Sequence, residues 1–448
     1  MREHGQSEEA IRSFLAARAR LIAGERALLP SDELEPAEDV PALDELPEGV
    51  DREALAQVVL IKLNGGLATT MGLRQPKSLV IAREGRTFLE IIAAQARALR
   101  RRFQIPLPVV LMNSEATRAP MEPELRRHGD LCDGLLPAFE QSMVPKLDAS
   151  TLLPISWPAN PSLEWCPPGH GDVYGALRRS GLLAAMLERG FRYAMISNCD
   201  NLGATLDERI ATHLATEGIP FLMEVVEGTE AERKGGHIAR RRADGRLVLR
   251  ETAQVPPEDE ESFRDFRRWR YYNTNNLWVD LRVLAELLDE HDGLLPLPLI
   301  VNRKTVDPRD PDSPPVLQLE SAMGAALGAF PGARLLLVPR TRFIPVKTTD
   351  DLLVMRSDAW TLDADMRPVH PGALPYVELD RRFYRLLDEF ERRFPAGPPS
   401  LRQARRLVVR GDITFGRGVV VRGEVELEAP EPLTIADGTV LEGRRDQA

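Results

Sequence analysis

The chain predicts an α/β fold with a mixed, mostly parallel sheet, on two observations. Short β-rich apolar runs recur at Val58–Leu63, Pro108–Met112, Tyr193–Ser197, Pro220–Val226 and Arg334–Val338, and each reads as a buried strand. Helical stretches such as Asp172–Leu187 and Leu281–Leu288 lie between several of them, the alternation of a sheet covered on both faces. Length agrees: 448 residues, 43% apolar and 28% charged, describe an ordinary globular chain too long for a single core.

Taken in order, Ile11, Phe14, Leu15, Ala19 and Ile22 form one helical stripe. Ser31–Val50 holds eight acidic residues, three prolines and no basic residue, which predicts an irregular, exposed strap. After the strand Val58–Leu63 comes a Gly-Gly loop. Thr87-x-x-Glu90 is then a capping box opening a helix with Phe88, Ile91, Ile92, Gln95 and Leu99 on one side. Val377–Phe394 predicts another helix, with Leu379, Phe383, Leu386, Leu387, Phe390 and Phe394 as its stripe, and Pro395–Ser400 a linker. In the tail Leu407, Ile413, Val419 and Val425 recur every six residues, and Ile435 and Leu441 resume the step. A hexapeptide rhythm predicts a short parallel β-helix.

Several function classes are excluded early. The longest apolar runs are strand-sized, far below the ~20 residues of a membrane span. A formal charge of −10 argues against a nucleic-acid partner. The N-terminus shows no apolar signal core, and Cys132, Cys166 and Cys199 lie far apart without a CxxC pair; together these predict a cytoplasmic chain without disulfides. Of 58 basic residues only six are lysines, namely Lys62, Lys77, Lys146, Lys234, Lys304 and Lys347. In so arginine-rich a chain, each lysine is a candidate for a site that needs a compact ammonium group.

Three segments carry candidate chemistry. Leu63-Asn64-Gly65-Gly66 follows the first strand and leads to Pro76-Lys77-Ser78; bare backbone amides there suit an anion, and Lys77 adds charge. The spacing matches neither a Walker loop nor a dinucleotide fingerprint, which leaves a nicotinamide oxidoreductase poorly supported. Pro167-Pro168-Gly169-His170-Gly171-Asp172 exposes a histidine beside bare backbone at a helix entrance, with Asp172 a possible N-cap. Asn198 and Asp200 end the strand Tyr193–Ser197, where α/β sheets bind ligands; one carboxylate beside phosphates is a common way to hold Mg²⁺. Lys234-Gly235-Gly236-His237, the amide-rich loop Tyr272–Trp278 and Lys347 after Pro345-Val346 are further candidates. Lys62, inside a strand, is a candidate partner for a buried carboxylate.

The phrases KLNGG…G…PKS, PPGHGD, SNCDNLGAT, KGGH, NTNNLW, LE…G and PVKTTDDL occur in this order over about residues 55–355. In that order they resemble the UDP-glucose pyrophosphorylase family in its eukaryotic-type form, the UTP–glucose-1-phosphate uridylyltransferases. The resemblance implies a Rossmann-like nucleotidyltransferase core of GT-A-like type and a C-terminal left-handed parallel β-helix. It implies that Leu63, Asn64, Gly65 and Gly66 form the nucleotide loop, that Lys77 lies on the triphosphate, and that Gln141 reads uracil with Gly169. His170 would contact the sugar-phosphate side, Asn198 the sugar nucleotide and Asp200 the Mg²⁺. Gly235, Gly236, Asn273 and Asn275 would face glucose, and Lys347 the reacting phosphates. Ala68 and Lys146 depart from the family's commoner glycine and arginine, and neither is a proposed ligand.

The domains expected are a helical segment with acidic connector over 1–50, a catalytic domain over 51–360, a connecting helix and linker over 361–400 and a β-helix over 401–448. The resemblance implies UTP and glucose 1-phosphate as substrates of a Mg²⁺-dependent transfer, with no nucleic-acid or membrane partner and a monomer or homo-oligomer. A uridylyltransferase for N-acetylhexosamine 1-phosphate or for many sugars, and a non-catalytic nucleotide-sugar-binding protein, are the alternatives.

Overall fold

A computed structural model describes residues 1–446 apart from 26, 69, 70, 74, 234, 309, 370, 371 and 373. Ten strands make the main sheet: β1 (Leu34–Pro36), β2 (Val58–Asn64), β3 (Val109–Asn113), β4 (Ala138–Glu140), β5 (Tyr193–Asn198), β6 (Phe221–Glu227), β7 (His237–Arg241), β8 (Leu247–Arg250), β9 (Tyr271–Asp280) and β10 (Arg334–Leu337). Their order is β1-β7-β9-β5-β2-β3-β4, with β6 joining β9 to β10 and β8 lying on β7. The sheet is mixed, as expected. Strands β5, β2, β3 and β4 run parallel, and β9 is antiparallel to β5 and β6.

The centre shows why a continuous apolar run was needed. All seven residues of β2 are buried. Val58 and Leu60 point into one core with helices α1 (Phe88–Phe103) and α2 (Glu208–Glu217), while Val59, Ile61 and Leu63 point into a second core with α3 (Leu281–Glu290). Strand alternation thus divides one sequence run between two helical layers. The Thr87–Glu90 capping box opens α1 as read, with both reciprocal bonds made. The N-terminal helix is present over Glu8–Ile22.

Four expectations change. The acidic strap is not merely solvated: its Leu34–Pro36 pairs with Arg241–Ala239 as an edge strand, and Leu34, Leu43 and Leu46 are buried. Asp172–Leu187 is two helices, Val173–Arg179 and Leu182–Glu188, broken at Gly181 with φ 76°. Val377–Phe394 begins as a strand, Tyr376–Leu379, because its backbone pairs with Arg406–Val409; Asp380 then caps a short helix, and Leu387–Arg393 is another. The amide-rich Tyr272–Trp278 lies inside β9 rather than in a loop.

In the tail, Tyr376–Leu379, Ser400–Arg410, Val420–Glu428 and Val440–Asp446 form a four-stranded sheet, and Ile413–Phe415 pairs with Leu433–Ile435, all in parallel. Leu407, Ile413, Val419, Val425, Ile435 and Leu441 are buried and join the same core as α1. No helix among the described residues is long and apolar enough to cross a membrane.

Candidate active site

The parallel strands deliver their last residues to one edge. Leu63 pairs with Asn198, and Asn64 with Asn113. Beyond them the chain turns away from the sheet, so backbone groups become available to a ligand. The side chain of Asn64 is spent internally: its Nδ2 donates to Asn113 Oδ1 at 2.8 Å. Gly65 follows, packed so closely beneath Gln141 that a Cβ would fall 2.5 Å from Gln141 Nε2. The bare backbone there lets the Gln141 carboxamide lie directly over the loop, and a larger residue would push that side chain aside. The amide of Lys77 donates to the Gly66 carbonyl at 3.3 Å, which returns the chain to the mouth.

There Lys77 Nζ meets Asp200 Oδ2 at 2.6 Å, with side chains 15% and 12% exposed. The other oxygen, Asp200 Oδ1, is buried with no hydrogen-bond partner among the described residues. The Asp200 carbonyl accepts from the amide of Val346 at 3.2 Å, so Lys347 starts one residue away from a direct backbone tie to Asp200. The structure therefore brings Lys77 and Asp200 into contact from two distant segments and sets the backbone next to Lys347, whose side chain is exposed, beside them. Cys199 beside them is buried, and desolvation pushes its thiol up to about 12, which keeps it a neutral packing residue.

The second half of the rim comes from Gly169 and His170. Gly169 has φ 82°, and a Cβ there would fall 2.4 Å from the Ser321 carbonyl; only glycine fits that turn. His170 is half-buried, and desolvation lowers its imidazole to about 4. Its Nδ1 faces the Met323 amide at 3.0 Å. The neutral ring then carries its proton on Nε2, a donor. Asp172 stands at the N-cap position but its side chain does not cap the helix: its carboxylate pairs with Arg179 at 2.6 Å and accepts from the Ser142 amide at 2.6 Å, so it braces the turn that carries Gln141.

The third group lies on β9. Asn273 donates from Nδ2 to Asn275 Oδ1 at 2.9 Å, and Asn275 adopts φ 58° at an irregularity between the pairs Met223–Leu277 and Val225–Asn273. The Asn273 amide donates to the Gly236 carbonyl at 3.1 Å. Gly235 spends its own N–H on Glu232 at 2.7 Å. Lys234 lies outside the described residues. One residue absent from the sequence reading joins this group: Glu251, whose carboxylate packs on Gly236. Burial pushes its carboxyl up and Lys347 pulls it down. A single Glu after a strand carries no motif, so only its tertiary position identifies it.

Two lysines are elsewhere. Lys62 pairs with no carboxylate within ion-pair distance among the described residues; its Nζ donates to Ser197 Oγ at 2.8 Å and to the Ala204 carbonyl at 2.6 Å, and desolvation lowers it to about 8. Lys146 is buried and donates to the Val306 carbonyl. A cavity of about 310 Å³ between the N-terminal helix and the Gly171–Asp172 turn touches none of Lys77, Asp200 and Lys347.

A divalent cation fits these residues on one observation, the unsatisfied Asp200 Oδ1. Among the described residues no three His, Cys, Asp or Glu side chains gather as a metal cluster. Such an ion would take one protein carboxylate and fill its shell with phosphate and water, as Mg²⁺ does.

Comparison with known proteins bears on the family of the chain. The family model described as UTP–glucose-1-phosphate uridylyltransferase matches residues 11–422. A UTP–glucose-1-phosphate uridylyltransferase of Encephalitozoon cuniculi is 35% identical over 96% of this chain and 84% of its own length. One of Hordeum vulgare is 36% identical over 96% and 90%. Among solved structures, a variant of UDP-glucose pyrophosphorylase from Leishmania major in complex with UDP-glucose superposes with TM-score 0.93 at 42% identity, covering 99% of this chain and 97% of that one. A UDP-glucose phosphorylase from Trypanosoma brucei gives 0.91 at 42%, covering 99% and 96%. With a matching model over most of its length and relatives of this identity, the chain belongs to the UTP–glucose-1-phosphate uridylyltransferase family.

Proposed function

We propose that the protein converts UTP and glucose 1-phosphate into UDP-glucose and pyrophosphate. The observation that carries this reading is the contact of Lys77 with the half-satisfied Asp200 carboxylate at one sheet edge, where the loop of the exposed Lys347 is tied to Asp200 through its backbone. A phosphate oxygen of glucose 1-phosphate attacks the α-phosphorus of UTP. The bond from that phosphorus to the bridging oxygen breaks, and pyrophosphate leaves with the electron pair. The nucleophile is already an anion, so no general base is required. The work is to bring two polyanions together and to stabilise charge on the leaving group.

Each group has a role in this reading. The Leu63–Gly66 loop and Gln141 hold the nucleotide, with Gly169 beside the base. Lys77 leaves Asp200 for the triphosphate, and Lys347 meets charge at the reacting phosphates; compact ammonium groups follow moving phosphates better than planar forks. His170 offers its Nε2–H to the sugar-phosphate side. Asn198, Gly235, Gly236, Asn273, Asn275 and Glu251 offer amides, backbone and a carboxylate to the sugar. A Mg²⁺ ion held by Asp200 and the nucleotide phosphates would supply charge neutralisation and Lewis acidity when bound.

The same reading extends to organisation. Residues 51–360 are the catalytic domain, preceded by the helix and strap of 1–50 and joined through 361–400 to the tail. The tail's two parallel sheets are read as faces of a short left-handed β-helix. Three buried cysteines without disulfides suit a reducing cytoplasm.

Pyrophosphate release from UTP, measured against a panel of sugar 1-phosphates with and without Mg²⁺, tests the reading. The expected outcome is release with glucose 1-phosphate and Mg²⁺. Stronger release with an N-acetylhexosamine phosphate would reassign the sugar, and nucleotide binding without release would leave a sensor.

A further inference from the structure

Beneath the mouth lies a polar layer in which no role has yet been assigned. Asn201, next to Asp200, is 1% exposed. Its Nδ2 donates to the Arg342 carbonyl at 3.0 Å and to Asn276 Oδ1 at 3.1 Å. Its Oδ1 accepts from the amides of Ile344 at 3.0 Å and Gly203 at 3.2 Å. Two donors and two acceptor sites are all that a carboxamide has, and every one is used. The orientation is fixed by its partners, since two N–H groups face the oxygen and two oxygens face the nitrogen.

These bonds join two loops that are about 140 residues apart in sequence. One carries Asp200 and the other Lys347. They are stitched further by the Val346 amide on the Asp200 carbonyl, and by Gly203, where a Cβ would fall 2.2 Å from the Thr341 carbonyl. The second loop is itself anchored. Arg342 is fully enclosed and binds Glu224 through Nε at 2.8 Å and a terminal nitrogen at 2.6 Å, and it donates to the Thr205 carbonyl. Glu224 also accepts from Asn276 Nδ2 and Trp278 Nε1.

We propose that Asn201 is a positioning residue: its carboxamide, seated on the Glu224–Arg342 pair, fixes the spacing between Asp200 and Lys347, so that the carboxylate and the ammonium act on the same phosphates. This rests on the proposed function and deepens it. Asn201 touches no substrate. It acts through Lys347, and a residue that acts through another gives losses that do not multiply.

The test is a double-mutant cycle. Asn201→Ala is expected to lower kcat about a hundredfold, the cost of a misplaced group in a near-attack arrangement, with KM for UTP changed less than about threefold. The double variant Asn201→Ala/Lys347→Ala is expected to match Lys347→Ala alone within about threefold. Multiplied losses, or wild-type kcat in Asn201→Ala, overturn the inference. Tyr384→Phe, which removes a hydrogen bond to Ile413 in the tail, serves as a stability control; an equal loss of kcat in it also overturns the inference. If Asn201→Ala does not fold, Asn201→Ser enters the same cycle.

A second readout does not need turnover. The chain has only six lysines, so ¹³Cε-labelled lysine gives few signals, and the one missing in Lys347→Ala is Lys347. MgUTP is expected to shift that signal in the wild type and not in the Asn201 variant. A shift retained in the variant overturns the inference. A wild type that shows the shift but releases no pyrophosphate sinks the proposed reaction and leaves the positioning role standing.

Discussion

Asp200 and His237 each bury side-chain polar atoms that no described group satisfies. Their surroundings differ. Asp200 keeps a little exposure, holds Lys77 on its other oxygen and sits beside the loop of Lys347. His237 is fully enclosed: its ring stacks on Trp269 at 4.7 Å and 6°, with Phe263 at 4.9 Å and the edge of Tyr272 at 6.1 Å. The charged groups that face it, Arg250 and Arg268, repel a proton. The Asp200 carboxylate is 12% exposed and already holds Lys77, so its unsatisfied oxygen lies just inside an opening that a ligand can enter. An unsatisfied ring in a sealed aromatic cage is a standing cost of about 1–3 kcal/mol. Missing partners alone do not mark a site; missing partners on a side chain that still reaches solvent do.

The largest expected effect breaks this comparison at the mouth. Asp200→Asn preserves shape and removes the charge. Pyrophosphate release is expected to fall about a thousandfold, as for loss of a principal electrostatic group, while Tm moves by only a few degrees. Activity close to wild type would mean that the free oxygen of Asp200 awaits nothing.

A smaller effect sharpens the role of the neighbouring cations. Lys347→Ala is expected to lower turnover by about 3 kcal/mol in barrier height, and UTP affinity far less. Lys304, exposed on the strand Ile300–Thr305, should tolerate alanine with unchanged steady-state kinetics. Both lysines are exposed, so equal losses in the two variants would show that the tie of the Lys347 loop to Asp200 confers nothing.

The six lysines mark how far sequence carries. Strand ends were legible because β2 and β5 are short, mostly apolar runs that stop at Asn64 and Asn198, a local pattern. Lys77 was legible as a cation near glycines, but its partner Asp200 is 123 positions away. Lys62 and Lys146 have the same scarcity and turn out to be buried braces. The run Tyr272–Trp278 was read as a loop because amides favour turns. Its alternation carried the missed signal: Thr274, Asn276 and Trp278 all reach Glu224, while Asn273 and Asn275 turn to the opposite face. The stripe over Val377–Phe394 misled in the other direction, since buried residues spaced by three or four fit a strand, a cap and a short helix equally well. Glu224, Arg342 and Glu251 lacked any local signature; their meaning lies in contacts that chain order does not show.

The smallest effect concerns the sealed end of the comparison and is read against pH. Burial lowers the folded-state pKa of His237 well below its ordinary value, so below about pH 6.5 the unfolded chain binds a proton that the folded chain refuses. Stability contributed by the neutral ring is therefore full above that pH and is lost as pH falls toward the depressed folded value. The slope from this one group is about 1.4 kcal/mol per pH unit across that window. His237→Phe keeps the stack on Trp269 and removes the titration. Its denaturant midpoint, measured from pH 7 to pH 5, should fall less steeply than that of the wild type by this amount, with pyrophosphate release at pH 7.5 retained. An unchanged acid slope would mean that the ring is already protonated in the folded chain. The cage would then hold a charge, and its difference from the mouth at Asp200 would disappear.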